Sequence, residues 1–124
     1  MSYAQRLAAI TVTTAADGSA TAYSEVCTGL LSSIRYVKTD FADGSTFTIT
    51  SEATGETLWT ETGVNASASR APRQATHSTA GAAALFAAGG AAVNDKIALA
   101  LDRVKIIIAS GGNVKTGTFH IVLE

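Results

Sequence analysis

The amino-acid sequence predicts an all-β fold, an antiparallel β-sandwich or jelly roll of about seven or eight short strands. Short runs rich in β-branched residues alternate between apolar and polar positions, and Asp-Gly and Gly-Gly pairs separate these runs. Strands and helices do not alternate along the sequence, so a parallel sheet is not predicted. We expect residues 1–124 to form a single β domain, because a chain of this length can bury roughly two-thirds of its unfolded surface.

The first two strand-like runs flank an Asp-Gly turn. RLAAITVTT (6–14) ends shortly before Asp17-Gly18, and ATAYSEVCT (20–28) follows, so we expect the two runs to pair as a hairpin. The next run, LLSSIRYVK (30–38), alternates with period two. One face of it is predicted to carry Leu30, Ser32, Ile34 and Tyr36.

Two further strands are predicted in the middle of the chain. STFTITS (45–51) sets Phe47 and Ile49 inward between threonines. In TGETLWTET (54–62), Leu58 and Trp59 are adjacent and should point to opposite faces of a strand. We expect Trp59 in the core, because large aromatic side chains dominate small cores, and Leu58 at a second contact surface or an edge.

Regular alternation returns near the C-terminus. Residues 96–101 place Ile97, Leu99 and Leu101 on one side of a strand, with a short helix as the alternative because Ala and Leu favour helices. RVKIIIA (103–109) is strongly β-directed. GGNVKTG (111–117) reads as a turn, and TFHIVLE (118–124) as the final strand.

Between these strand regions we expect an inserted loop or arm at about 63–95, rich in Ala and Gly. HSTAGAAALFAAGGAAVND (77–95) has no charged side chain between its ends, yet is too short and too interrupted by glycine to span a membrane. One short helix is possible from Ala82 to Ala88, capped by Gly89. Seven residues do not hold a helix alone in water, so the arm needs a supporting surface, with Leu85 and Phe86 as anchors.

Composition argues against several functions. The net charge is −1 and the basic residues are scattered, so nucleic acid is not an expected partner, and a membrane is not expected either. Only 15% of residues are charged, which suggests that identical subunits or a partner cover part of the surface. Cys27 has no second cysteine to pair with. MSYAQRLAAITVTTAADGS (1–19) lacks the basic segment and long apolar core of a secretory signal, so synthesis in the cytoplasm is expected.

No catalytic, metal or cofactor site is predicted, and we do not expect an enzyme. GGNVKTG lacks the glycine directly before lysine, and the following helix, that a phosphate-binding loop requires. His120 should face solvent or a neighbouring subunit, and His77 is a candidate partner contact. Arg70 and Arg73 bracket Pro72; they either keep an exposed loop soluble or anchor a neighbouring subunit's carboxylates.

The block from Arg73 to Val122 resembles small virion proteins of tailed bacteriophages. The similarity rests on AGAAALFAAGG (80–90) and DRVKIIIASGGNVKTGTFHIVL (102–123). It implies a capsid decoration or cement protein that binds the major capsid protein of the assembled head, with a homotrimer favoured and the virion as its location. The alternative is a tail or fibre-associated adhesion module for a host glycan or receptor, although exposed aromatics are scarce. The predicted partner or subunit contacts are Arg70, Arg73, His77, Leu85 and Phe86.

Overall fold

The computed structural model describes residues 4–124 and is all-β, with two antiparallel sheets consistent with a sandwich. The predicted fold class is confirmed, and residues 1–3 of the predicted domain lie outside the described part. The strands are β1 (Gln5–Arg6), β2 (Ile10–Thr13), β3 (Ala20–Tyr23), β4 (Cys27–Lys38), β5 (Ser45–Ser51), β6 (Thr57–Val64), β7 (Ala68–Arg70), β8 (Arg73–Ala75), β9 (Asn94–Asp102), β10 (Val104–Ala109) and β11 (Thr116–Leu123).

The strands divide between two sheets. Sheet 1 has the order β1-β11-β4-β9-β8, with β2 also paired to β11 and β7 also paired to β4. Sheet 2 has the order β3-β10-β5-β6. The predicted hairpin of the first two runs is therefore wrong, because β2 joins sheet 1 and β3 joins sheet 2. The Asp-Gly pair reverses the chain, but it does not determine which strand becomes the hydrogen-bonded partner.

The core between the sheets is centred on aromatic rings. The Phe47 ring centroid lies 4.8 Å from that of Tyr36, 5.3 Å from Phe119 and 5.4 Å from Trp59. The prediction that Trp59 belongs to the core is confirmed. Leu58 is buried as well, against expectation, because the register opposite β5 shifts between Ile49 and Thr50 and leaves Leu58 as an extra residue.

A second irregularity changes the face of β4. Its pairing with β11 shifts at the Val122–Leu123 step, which leaves Ser32 unpaired between Leu31 and Ser33. As a result Leu31 is buried and Leu30 is partly exposed, so the predicted face containing Leu30 and Ser32 is wrong. Ile34 and Tyr36 lie in the core as expected.

The chain passes from sheet 1 to sheet 2 at a sharp corner after β9. Leu101 has a φ of 47° and is 83% exposed, whereas Ile97 and Leu99 are buried. The prediction that Leu101 shares their side is wrong, because its left-handed backbone turns the side chain outward. The alternative of a helix over 96–101 is also excluded, since these residues belong to β9.

The predicted helix over Ala82–Ala88 is absent. The segment instead contains bends and isolated bridges, including one between Leu85 and Ala92. Gly81 and Gly89, which flank this segment, have φ values of 81° and 70° and belong to its turns. The predicted irregular stretch is also shorter than expected, because β6 extends to Val64 and β7 and β8 lie within it.

Candidate interaction surface

The β8–β9 pair leads into an exposed arm, defined here as residues 76–93. The Thr76 N–H donates to the Val93 carbonyl at 2.8 Å. Beyond this bond the two segments separate and Ala84 joins both of them: its N–H donates to Thr76 O at 2.9 Å, and its carbonyl accepts from Val93 N at 3.0 Å. Three backbone segments thus meet at the base of the arm.

Small turns complete the arm. The Ser78 hydroxyl accepts hydrogen bonds from the N–H groups of Ala80 and Ala82, each at 3.3 Å. The Phe86 N–H donates to the Ala91 carbonyl at 3.0 Å. Alanine and glycine allow these close approaches, so backbone hydrogen bonds, rather than a local core, hold the arm in shape.

The arm presents its two large apolar side chains to solvent. Phe86 is 76% exposed and Leu85 is 45% exposed. The hydrophobic core includes no residue of the arm. Folding of the chain does not bury these two side chains. Their burial against another surface would therefore contribute favourable free energy to binding.

The two predicted arginine contacts have different environments. Arg70 donates two hydrogen bonds of 2.9 Å to the Glu61 carboxylate. Its guanidinium also lies over Trp59, with the guanidinium carbon 5.5 Å from the ring centroid. The bond from Arg70, followed by that from the Trp59 indole, lowers the pKa of Glu61. The Arg70 guanidinium thus binds a carboxylate of its own chain, and this contact links β7 to β6.

Arg73 is exposed and has no acidic partner among residues 4–124. Its guanidinium donates to the carbonyls of Pro72 at 2.8 Å and Ser32 at 3.1 Å. These bonds hold the side chain where β4 leaves β9 and begins to pair with β7. The remaining guanidinium donors are available to a partner.

The two histidines also differ. His77 is exposed at the start of the arm and bridges to Ala83. His120 is half-buried and lies opposite Arg35 on sheet 1. Its Nδ1 atom is buried and has no hydrogen-bond partner in the described part of the chain. Sequence reasoning placed His120 toward solvent or a subunit, but gave no signal that Arg35 is its neighbour.

The GGNVKTG loop joins sheet 2 to sheet 1, so it is a turn between sheets. Three of its backbone donors are engaged within the chain: Gly111 N–H bonds to Gly18 O at 2.9 Å, Lys115 N–H to Thr14 Oγ1 at 2.8 Å and Thr116 N–H to Asp40 Oδ1 at 2.6 Å. A phosphate cradle needs such N–H groups pointing freely at one centre. The loop instead locks onto the turn around Thr14.

Two buried ionisable groups lie near the corner after β9. Burial, followed by the charges of Asp102 and Glu25, raises the pKa of the Cys27 thiol, whose Sγ donates to Asp102 O at 3.3 Å. Burial also opposes ionisation of Asp102, but hydrogen bonds from Ser51, Ala53 and Arg103 outweigh it and lower the pKa of this carboxyl. Cys27 is thus a poor nucleophile, and Asp102 fastens the β5–β6 turn to the corner.

Residues 4–124 contain no cluster of three or more His, Cys, Asp or Glu side chains suited to a metal ion. Nor does this range contain a helix long and apolar enough to cross a membrane. Comparisons with protein-family models, with curated proteins and with solved structures find no match to this chain.

Proposed function

We propose that this protein is a structural component of a bacteriophage particle, a capsid decoration or cement protein that binds the major capsid protein of the assembled head. The observation that carries the proposal is the arm, which exposes Leu85 and Phe86 on a backbone with no core of its own. The resemblance to small virion proteins supports it, because AGAAALFAAGG (80–90) lies within this arm.

A cement protein acts by binding alone and needs no catalytic group. A protein that binds only the assembled shell stabilises that shell by mass action. Burying an exposed Leu or Phe contributes about 1.5–3 kcal/mol per side chain, and repetition on a symmetric shell multiplies a modest affinity. We propose a trimer on the capsid surface, as the resemblance to virion proteins implies. Each added arm in such an assembly strengthens attachment.

Of the remaining predicted contacts, His77 and Arg73 are free to bind the capsid, whereas Arg70 is not. His77 and Arg73 lie at the start of the arm and just before it, and both are exposed. They are placed to contact the surface that the arm enters. Arg70 has its guanidinium occupied by Glu61, so we propose that it supports the loop before the arm and does not contact the capsid.

Cosedimentation with phage heads that lack this protein tests the proposal. In one variant, residues 77–92 are replaced by Asn-Gly, because Thr76 and Val93 are already paired and a two-residue turn of this type closes such a pair. A second variant, Leu85→Ser/Phe86→Ser, keeps the arm but removes its apolar side chains. Val114→Ser is the matched control, since Val114 is exposed in the distant 111–117 loop.

We expect the wild type and Val114→Ser to pellet with heads, and both arm variants to remain in the supernatant. Circular dichroism and urea unfolding establish that all variants are folded. If the shortened form pellets as completely as the wild type, the arm is not the docking element. If the wild type itself does not bind heads, the decoration function is wrong.

A further inference from the structure

The basic residues of the described chain fall into two groups. Four of them, Lys38, Arg70, Lys96 and Arg103, form ion pairs within the chain. The other five form none among residues 4–124. Of these five, the three arginines Arg6, Arg35 and Arg73 are exposed, whereas Lys105 and Lys115 are half-buried. Exposed arginines retain planar forks of donors that match a carboxylate.

The three arginines lie on one side of sheet 1. Phe119, Ile121 and Leu123 of β11 point into the core, so the alternate residues His120 and Val122 point outward. Directly paired residues share a face. Arg6 pairs with Val122 and Arg35 pairs with His120.

The third arginine reaches the same face through β9. Ile97 and Leu99 are buried, which directs Lys96 outward. Arg73 is directly paired with Lys96. The set Arg6, Arg35 and Arg73, together with His120 between them, is named the arginine face below.

The arginine face is wide enough for a protein partner. Arg6 on β1 and Arg73 on β8 are four strand spacings apart in the order of sheet 1, which corresponds to roughly 19 Å at about 4.8 Å per strand. Glu124, a carboxylate on this side, is already paired with Lys96. Arg6, Arg35 and Arg73 therefore carry positive charge that no carboxylate pairs with among residues 4–124.

We infer that the arginine face binds an acidic protein surface, with the guanidinium groups receiving carboxylates of the partner. The inference rests on the proposed function and specifies it: the surface of the capsid protein beneath this sheet is acidic. Continuity supports this, because Arg73 lies on β8, which leads directly into the arm at Thr76. One partner can contact the arm and the face together.

Charge distribution favours an acidic protein over nucleic acid. Apart from the three arginines, six basic residues stand against ten acidic ones in the chain. A DNA duplex extending past the face would meet this acidic remainder. Arg6 pairs with Val122, which in turn pairs with Ser33 on the strand that carries Arg35. Uncharged residues therefore lie between the two arginines, a spacing that suits separate carboxylates better than a continuous row of phosphates.

The test uses the full chain and a fluorescent peptide of about ten glutamates, followed by anisotropy at low and moderate salt, because exposed charge pairs weaken with ionic strength. The variant is Arg6→Gln/Arg35→Gln. The matched control, Lys105→Gln/Lys115→Gln, removes the same charge from residues that also form no ion pair in the described chain. Circular dichroism checks that each variant is folded.

We expect the arginine variant to lose at least about tenfold in affinity, as removal of two charge contacts does, with the control within about twofold. Equal losses in both variants would overturn the inference, as would unchanged binding by the arginine variant. So would tighter binding of a DNA duplex about 20 base pairs long than of the peptide.

Parallel cosedimentation with heads lacking the protein separates the two proposals. If the arginine variant binds heads as well as the wild type, the acidic-surface inference fails while the decoration function stands. If the wild type binds the peptide through its arginines but does not bind heads, the decoration function fails and the recognition of acidic surfaces stands.

Discussion

Arg35 and His120 occupy directly opposed positions on β4 and β11, at the centre of the outer face of sheet 1. Arg35 donates to the Ser69 hydroxyl at 2.9 Å and has no carboxylate partner within residues 4–124. The buried Nδ1 of His120 has no hydrogen-bond partner in the same range. On this face the Arg35 guanidinium lacks a carboxylate partner and His120 Nδ1 lacks a hydrogen-bond partner within residues 4–124. On the arm, Leu85 and Phe86 are likewise exposed and do not belong to the core.

Phe86→Ala is expected to leave stability unchanged. The side chain is 76% exposed and outside the core, so the free energy of unfolding should stay within about 0.5 kcal/mol of the wild type. Phe119→Ala, in the buried ring cluster, should cost about 3–5 kcal/mol. Urea unfolding measures both. A loss above about 2 kcal/mol for Phe86→Ala, a core-like value, would show that the arm packs against its own domain.

Asp102→Asn is expected to destabilise the protein at neutral pH by about 1–3 kcal/mol, because Ser51, Ala53 and Arg103 would lose a charged acceptor. The pKa of Asp102 is lowered in the folded state. Its stabilising contribution is therefore complete above the unfolded-state pKa of about 3.9. That contribution is lost as the pH falls through the lower, folded-state pKa.

The pH dependence of this effect is measured by urea unfolding of wild type and variant at neutral pH and below about pH 4. The difference between them should shrink in acid, while other titrating carboxylates, common to both proteins, cancel. Glu56→Gln is the control, because Glu56 is exposed. A difference that is the same at both pH values would mean that the ionised form of Asp102 is not what holds the corner.

Gly117→Ala is expected to cost about 1–3 kcal/mol through overpacking. A β-carbon at this inward-facing position of β11 would lie 2.7 Å from Phe41 Cε2 and 2.9 Å from Tyr36 Cε1, and these rings stack with centroids 5.8 Å apart. Phe41→Leu should create space for the new methyl group. Thermal unfolding of the double variant should show less than the sum of the two losses, and strict additivity would contradict the packing argument.

Leu101→Gly is expected to be more stable than Leu101→Ala by about 0.5–1 kcal/mol. The φ of 47° at this exposed corner costs an L-residue about 1–2 kcal/mol, which exceeds the entropic cost of glycine. Ala98→Gly on the same strand should show the opposite sign. Chemical denaturation of the three variants and the wild type decides the matter: alanine more stable than glycine at 101 would mean that the corner is not strained.

Local alternation allowed much of the fold to be predicted from the sequence. STFTITS gave the strand Ser45–Ser51 with its bounds and its inward Phe47 and Ile49. Phe119, Ile121 and Leu123 fell in line on β11 as expected. These predictions held because period two is imposed by the extended backbone of a single strand.

Predictions failed where the direction of a side chain depends on the paired strand or on the crossing between the sheets. The extra residues at Ser32 and Leu58 arise from pairing with β11 and β5, and the outward turn at Leu101 arises from the crossing between sheets. The composition of the arm indicated close backbone approach, but a helix was expected where turns occur. The grouping of Arg6, Arg35 and Arg73 follows from strand order and register, which no local pattern contains.

Cryo-electron microscopy of the phage particle would locate this protein directly and test its binding to the head. We expect density for this sandwich on the capsid surface at junctions between capsomers, with the arm around Phe86 inserted into the shell and the Arg35 side of sheet 1 facing it. Density confined to the tail or its fibres would contradict the decoration function. Density on the head with the arm pointing to solvent would contradict the docking role of Leu85 and Phe86.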